Sequence, residues 1–282
     1  MILDHEIPQG SKLYFGNTAK LKRKVETCAY EVFMQNGFEE IVTPAFSFLQ
    51  HQHDFSNRQI IRLNSEQNQQ LSLRYDSTID AIRILTKRLS RNVDNKKWFY
   101  IQPVFSYPSN EIHQIGAEYL EGDLNKIIQV ANEILKKINI NPLIQFSHSK
   151  ILEICSMEFK MTPDEFSKQD LNTLMQNQLL KELIMMKTLK DLKNFIPKAP
   201  SFIKQELMML NEYAQACGNQ NILIAILQQA PVDYYRDIIF RAFANNHTLL
   251  LGGSYEINHT LSCGFGIYTD HLIDYLTKNI TI

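Results

Sequence analysis

Ile112-His113-Gln114-Ile115-Gly116-Ala117-Glu118 is the stretch on which the reading of this chain turns. Alternate side chains of a strand share a face. Gln114, Gly116 and Glu118 therefore look one way, and His113, Ile115, Ala117 and Tyr119 look the other. The second set suits a core. The first places two long polar side chains about a glycine, which leaves room for a ligand to lie on the sheet. Taken alone, the segment is more simply an ordinary solvated sheet face.

Outward from it, Leu73-Arg74-Tyr75-Asp76-Ser77-Thr78 ends a strand and opens a helix over 78–90, with Asp76 read first as a cap carboxylate. Trp98 to Phe105 is a buried strand; a helix over 124–138 and a strand near 142–146 follow. Apolar residues at helical spacing (Leu21, Val25, Cys28, Ala29, Val32, Phe33) predict a helix over 18–36, stopped at Asn36-Gly37. Phe38 to Thr43 follows as a strand that Pro44 closes. Residues 58–63 and 71–75 read as strands flanking a polar hairpin loop.

From about 150 to 228 the composition turns to helix formers, with boundaries at Thr162-Pro163-Asp164 and Pro197–Pro200. Strands return at Tyr234–Ala244, Leu249–Ile257 and Leu261–Tyr268, and a helix over Thr269 to Lys278 closes the chain. This order implies an α+β core in two parts, 1–149 and 229–282, around a helical insertion at 150–228.

The chain has 282 residues, 44% of them hydrophobic, with 16 Phe and 12 Tyr, enough for a sizeable core. Its net charge of −1 gives nucleic acid no hold as an obligatory partner. The cluster Lys20, Lys22, Arg23, Lys24 reads as the solvated face of a helix. Cys28, Cys155, Cys217 and Cys263 form no Cys-x-x-Cys pair, which suggests buried thiols in a reducing compartment. The N-terminus lacks a basic n-region and an apolar h-region, and no apolar run reaches membrane-spanning length. A cytoplasmic protein with no membrane partner is expected.

His51-Gln52-His53-Asp54 offers alternating histidines without a third ligand, so no metal is expected. Met175, Met185, Met186, Met208 and Met209 suggest helical packing or a partner surface. Gly252-Gly253-Ser254-Tyr255 is a strand opening into a glycine pair, and Asp233-Tyr234-Tyr235 suits packing with a hydrogen bond.

In this order the segments resemble the catalytic core of histidyl-tRNA synthetase and its paralogues, a class II aminoacyl-tRNA synthetase-like family. Phe38–Pro44 is similar to the family's dimer-forming first motif, and Leu73–Thr78 to its Leu-Arg-Pro-Glu/Asp-x-Thr segment. Trp98–Tyr107 is similar to the second-motif strand, and Gln114–Glu118 to the Gln-x-x-x-Glu stretch that grips the histidine side chain. Asp233-Tyr234-Tyr235 resembles Leu-Asp-Tyr-Tyr, Gly252–Tyr255 resembles Gly-Gly-Arg-Tyr, and Gly264–Leu272 stands for the third motif. The resemblance covers roughly 1–145 and 228–282. It implies an antiparallel sheet flanked by helices. It also implies a histidine pocket formed by Asp76, Gln114, Glu118, Tyr235 and Tyr255, whose acceptors and hydroxyls match an imidazolium ion.

Three departures shape the function. Where the family has arginines in its second motif, in its third motif and ahead of Leu-Asp-Tyr-Tyr, this chain has Ser106, His271 and Ala230. Arginine's planar fork contacts phosphate or carboxylate in two places and keeps its charge, whereas histidine is largely neutral at pH 7. A group stabilising transition-state charge is commonly worth about 3–4 kcal/mol, so amino-acid activation is expected to be negligible and no residue is assigned a catalytic role. The chain also ends soon after the third motif, where synthetases of the family continue into an anticodon-reading domain.

The resemblance therefore implies a regulatory paralogue, with no tRNA partner and no cofactor. It would dimerise through the first motif, bind histidine, and associate with a separate short-form ATP phosphoribosyltransferase catalytic subunit. Two alternatives stay open: an enzyme that activates an amino acid for a non-tRNA acceptor, and a paralogue that binds another small molecule. Arg74 and Arg236 are the candidates for the missing ligand-carboxylate contact.

Overall fold

The computed structural model describes residues 6–52, 60–64, 69–91, 93–228, 234–257 and 259–279. The chain forms two compact units, Met1–Leu120 with Gly266–Ile282, and Glu121–Phe265.

The first unit holds α1 (Gly16–Gln35), α2 (Ser77–Ile84), β1 (Glu39–Glu40), β2 (Phe46–Phe48), β3 (Arg62–Asn64), β4 (Gln70–Leu73), β5 (Lys97–Ser106), β6 (Asn110–Leu120) and a closing helix, Thr269–Asn279. The expected helical spacing puts Val25, Ala29, Val32 and Phe33 of α1 in the core, where Phe33 stacks on Phe99 at 4.6 Å between ring centroids. Gly37, at φ 75°, turns the chain out of the helix.

β1 runs parallel to β5 but is shorter than the strand expected to Thr43. The reason is chemical. The Thr43 N–H goes to Gln102 Oε1, and the carbonyls of Thr43 and Pro44 accept from Arg74, so these groups are withdrawn from the ladder. β5 and β6 form an antiparallel hairpin in continuous register from Ser106↔Asn110 to Lys97↔Tyr119. The expected hairpin over 58–75 appears as β3 against β4, with β2 on the other side of β4; residues 53–59 and 65–68 lie outside the described residues.

An ionic knot fixes the closing helix to β6. The Asp270 carboxylate accepts from the Tyr14 hydroxyl and, at 2.9 Å, from the His113 backbone N–H. Burial alone would raise the Asp270 carboxyl, but the hydrogen bonds from His113 and Tyr14 outweigh it and hold it below its ordinary range.

The second unit holds α3 (Leu124–Lys137), β7 (Leu143–His148), α4 (Ser149–Glu158), α5 (Pro163–Ser167), α6 (Leu171–Leu174), α7 (Gln178–Met185), α8 (Leu189–Phe195), α9 (Ser201–Ala216), β8 (Ile222–Ile224), β9 (Tyr235–Ala244), β10 (His247–Ile257) and β11 (Thr260–Tyr268). The strands lie in the order β11-β10-β9-β7-β8, with β8 parallel to β7 and β9 antiparallel to both β7 and β10. Within the helical block a helix starts as expected at Thr162, whose side chain accepts from Glu165 N–H while Glu165 reaches back in a capping box.

One element inside that block differs from expectation: Ile222–Ile224 is a strand. Three apolar residues are too few to declare a period, and their pairing to β7 is what makes them a strand. Of the methionines, Met186 is buried while Met185 and Met208 are exposed. The four cysteines are free thiols, three of them buried. Among the described residues no helix is long and apolar enough to cross a membrane.

Candidate functional site

Gln114, Gly116 and Glu118 share one face of β6, as the alternation requires, but this face is not a solvated one. Glu118 is only 1% exposed. Its Oε1 accepts the Thr78 hydroxyl at 2.7 Å, and Thr78 Oγ1 lies 3.2 Å from the Tyr100 hydroxyl. Thr78 has a single hydroxyl proton, already given to the carboxylate, so Tyr100 donates to Thr78. The result is a directed chain, Tyr100 to Thr78 to Glu118, aimed at a buried acceptor.

The space left by Gly116 is taken by protein, contrary to the expectation that it admits a ligand. Tyr100 sits directly across the β5–β6 ladder, and a Cβ built on Gly116 would lie 2.3 Å from its ring. Glycine is needed here so that Tyr100 can cross the strand and reach Thr78.

Asp76 occupies the N-cap of α2 and accepts from Ile79 N–H at 3.0 Å, so the cap reading is correct. That position also puts it two residues from Thr78, on the same first turn. Thr78, Tyr100 and Glu118 form one polar cluster of the first unit, and Asp76 caps the helix that carries Thr78.

Arg74 does not supply the missing carboxylate contact. The guanidinium, 3% exposed, donates to the carbonyls of Pro103, Thr43 and Pro44 and to Thr43 Oγ1, at 2.7–3.1 Å. Burial lowers its pKa from the usual arginine value. It is an internal brace.

In the second unit Tyr235 and Tyr255 face each other in the β9–β10 register, and both are buried. The Tyr234 ring lies 5.3 Å from Tyr235 and, edge-on, 5.8 Å from Tyr255. Gly253 makes room for the Tyr235 ring, which a Cβ there would meet at 3.0 Å. Arg236 pairs with Ser254 on the opposite sheet face. It lines a cleft of about 500 Å³ with Tyr213 and Asp237. Tyr255 lines the same cleft, so Arg236 and Tyr255 border one space.

Ser106 ends β5 and receives Asn110 Nδ2 at 3.3 Å, and His271 lies against the Tyr268 ring at 5.5 Å. Ala230 and Asp233 lie outside the described residues. So do His53 and Asp54, while His51 sits in a 3₁₀ turn where strand alternation does not apply.

A family model for histidyl-tRNA synthetase matches residues 16–272. The chain belongs to this family. A protein from Wolinella succinogenes named ATP phosphoribosyltransferase regulatory subunit is 47% identical over 281 residues, 99% of this chain and 98% of its own length. A protein of the same name from Helicobacter hepaticus is 48% identical over 278 residues, 98% and 99% of the two chains. By contrast, a histidine–tRNA ligase from Mycoplasma mycoides is 25% identical, and the match spans 75% of its length.

A solved structure from Bacillus halodurans, described as an ATP phosphoribosyltransferase regulatory subunit/histidyl-tRNA synthetase, superposes with a TM-score of 0.80. It has 16% identity and covers 98% of this chain and 84% of that one. A histidine–tRNA ligase subunit from Alicyclobacillus acidocaldarius gives 0.78 at 16% identity, covering 97% of each. The fold is thus class II synthetase-like, α+β, as the motif order implies. The two relatives named regulatory subunit thus match this chain at 47% and 48% identity, against 25% for the histidine–tRNA ligase.

Sequence reasoning missed two members of the cluster. Thr78 was legible only as the start of a helix, and Tyr100 only as a buried strand residue. The signal that finds Tyr100 is the hairpin count: three turn residues, 107–109, put residue 100 opposite 116.

Proposed function

We propose that this protein is the histidine-sensing regulatory subunit of a two-component ATP phosphoribosyltransferase, the enzyme that condenses ATP with phosphoribosyl pyrophosphate to begin histidine biosynthesis. Histidine is received by Asp76, Gln114 and Glu118. The family resemblance assigns Tyr235 and Tyr255 to the same ligand. The observation that carries this reading is Glu118, a buried carboxylate held as an acceptor by the Thr78 hydroxyl. It is present in a chain that has serine at 106 and histidine at 271, where the synthetases hold arginine.

The names of the two close relatives support a separate catalytic partner. Self-association through the first motif is supported by the exposed Val42, Phe46 and Phe48 beside Pro44. Histidine regulates only to the extent that it binds one assembled state better than another.

The test is co-purification of the tagged protein with a short-form ATP phosphoribosyltransferase, with and without histidine. A stable complex whose turnover responds to histidine is expected. Absence of a complex, or a complex whose turnover ignores histidine, overturns the reading.

A further inference from the structure

Gln102 was singled out by nothing in the sequence, yet it occupies the junction of the first unit. It lies directly across the β5–β6 ladder from Gln114, so the two side chains share a face. Its buried amide is fully used. Oε1 accepts Thr43 N–H at 3.1 Å, and Nε2 gives its two hydrogens to Thr43 Oγ1 at 3.0 Å and Ser77 Oγ at 3.2 Å. Ser77 stands between Asp76, which caps α2, and Thr78, which holds Glu118. On the other side, Thr43 Oγ1 also receives Arg74 Nη1 at 3.1 Å, and Arg74 grips the Thr43, Pro44 and Pro103 carbonyls. Beyond this clasp the chain emerges as β2 with Phe46 and Phe48 exposed.

We propose that Gln102 is a positioning residue that, with Thr43 and Arg74, transmits ligand occupancy at Gln114 and Glu118 to the Ile41–Phe48 edge. The inference rests on the histidine-binding reading and names the route by which that site reaches the exposed edge. A ligand that engages Asp76 or Glu118 bears on the first turn of α2, because Asp76 also caps that turn. Ser77 moves with the turn. The Gln102 amide cannot stay behind without leaving a buried donor unpaired, which is unfavourable. Thr43, bonded to the same amide at two atoms, follows. Such buried, fully satisfied networks move as units rather than stretch.

The test is hydrogen–deuterium exchange with and without L-histidine, alongside calorimetric titration of the same samples. In the wild type, histidine should change exchange at Ile41–Phe48 by at least about fivefold, the lower end of ordinary site-to-site coupling, while α1 stays unchanged. Gln102→Met should still bind histidine but lose that response, and Thr43→Val, which cuts the clasp elsewhere, should do the same. A purely structural role would alter basal exchange in the variants and leave the histidine-dependent difference intact. A wild type that binds histidine with no change at Ile41–Phe48, or variants with a full response, would overturn the proposal. No histidine heat in the wild type would instead remove the ligand reading, and the clasp's role with it.

Discussion

His148 should set the acid limb of this protein's stability. It ends β7 at the start of α4, is 1% exposed, and neither ring nitrogen has a hydrogen-bond partner among the described residues. Burial pulls its pKa down to about 4 from the ordinary 6.5, and nearby Asp237 opposes the shift without reversing it. The positive end of α4 disfavours an imidazolium in the same sense. Because the folded pKa lies below the unfolded one, the unfolded chain binds the extra proton first. The stabilising difference is intact above pH 6.5 and is lost as pH falls toward 4. A gap of about 2.5 units at 1.36 kcal/mol each gives a loss of about 3 kcal/mol by pH 4.

Urea unfolding at pH 7, 6, 5 and 4, for the wild type and His148→Leu, isolates this group from the carboxylates that titrate alongside it. The variant should match the wild type within about 1.5 kcal/mol at pH 7, since it removes two unpaired nitrogens and little volume. It should then fall less steeply, gaining about 3 kcal/mol on the wild type by pH 4. Parallel curves would refute the reasoning.

Asp270→Asn should cost about 1–3 kcal/mol at neutral pH by weakening the acceptor for Tyr14 and the His113 N–H. Because the Asp270 carboxyl is held below its ordinary value of 3.8, this difference should persist down to that pH and shrink only below it; thermal melts across pH check it. Gly116→Ala should destabilise by about 1–3 kcal/mol through collision with the Tyr100 ring, measured by urea midpoint. Pairing it with Tyr100→Phe should not relieve the loss, because the ring itself is the obstacle.

The long elements could be read from the chain because their physics is local. The spacing of Val25, Ala29, Val32 and Phe33 gives α1, and the alternation from Gln114 to Glu118 gives β6. What escaped reading depends on contacts distant in sequence. β1 stops short of Thr43 because a guanidinium from residue 74 and an amide from residue 102 take its polar groups. β8 is three residues that become a strand only against β7.

The candidate site divides the same way. Glu118 and Asp76 were visible as carboxylates at telling spacings. The purpose of Gly116 was not, because it depends on which ring lies across the ladder. Arg74, a free cation in the sequence, proves to be spent on backbone carbonyls.

Calorimetric titration of L-histidine into the wild type, Gln114→Ala and Glu118→Ala tests the central claim most directly. Saturable heat is expected with the wild type and none with either variant, while both variants still melt cooperatively. Unchanged binding by either variant would contradict the assignment of that residue, and a wild type that ignores histidine would contradict the whole.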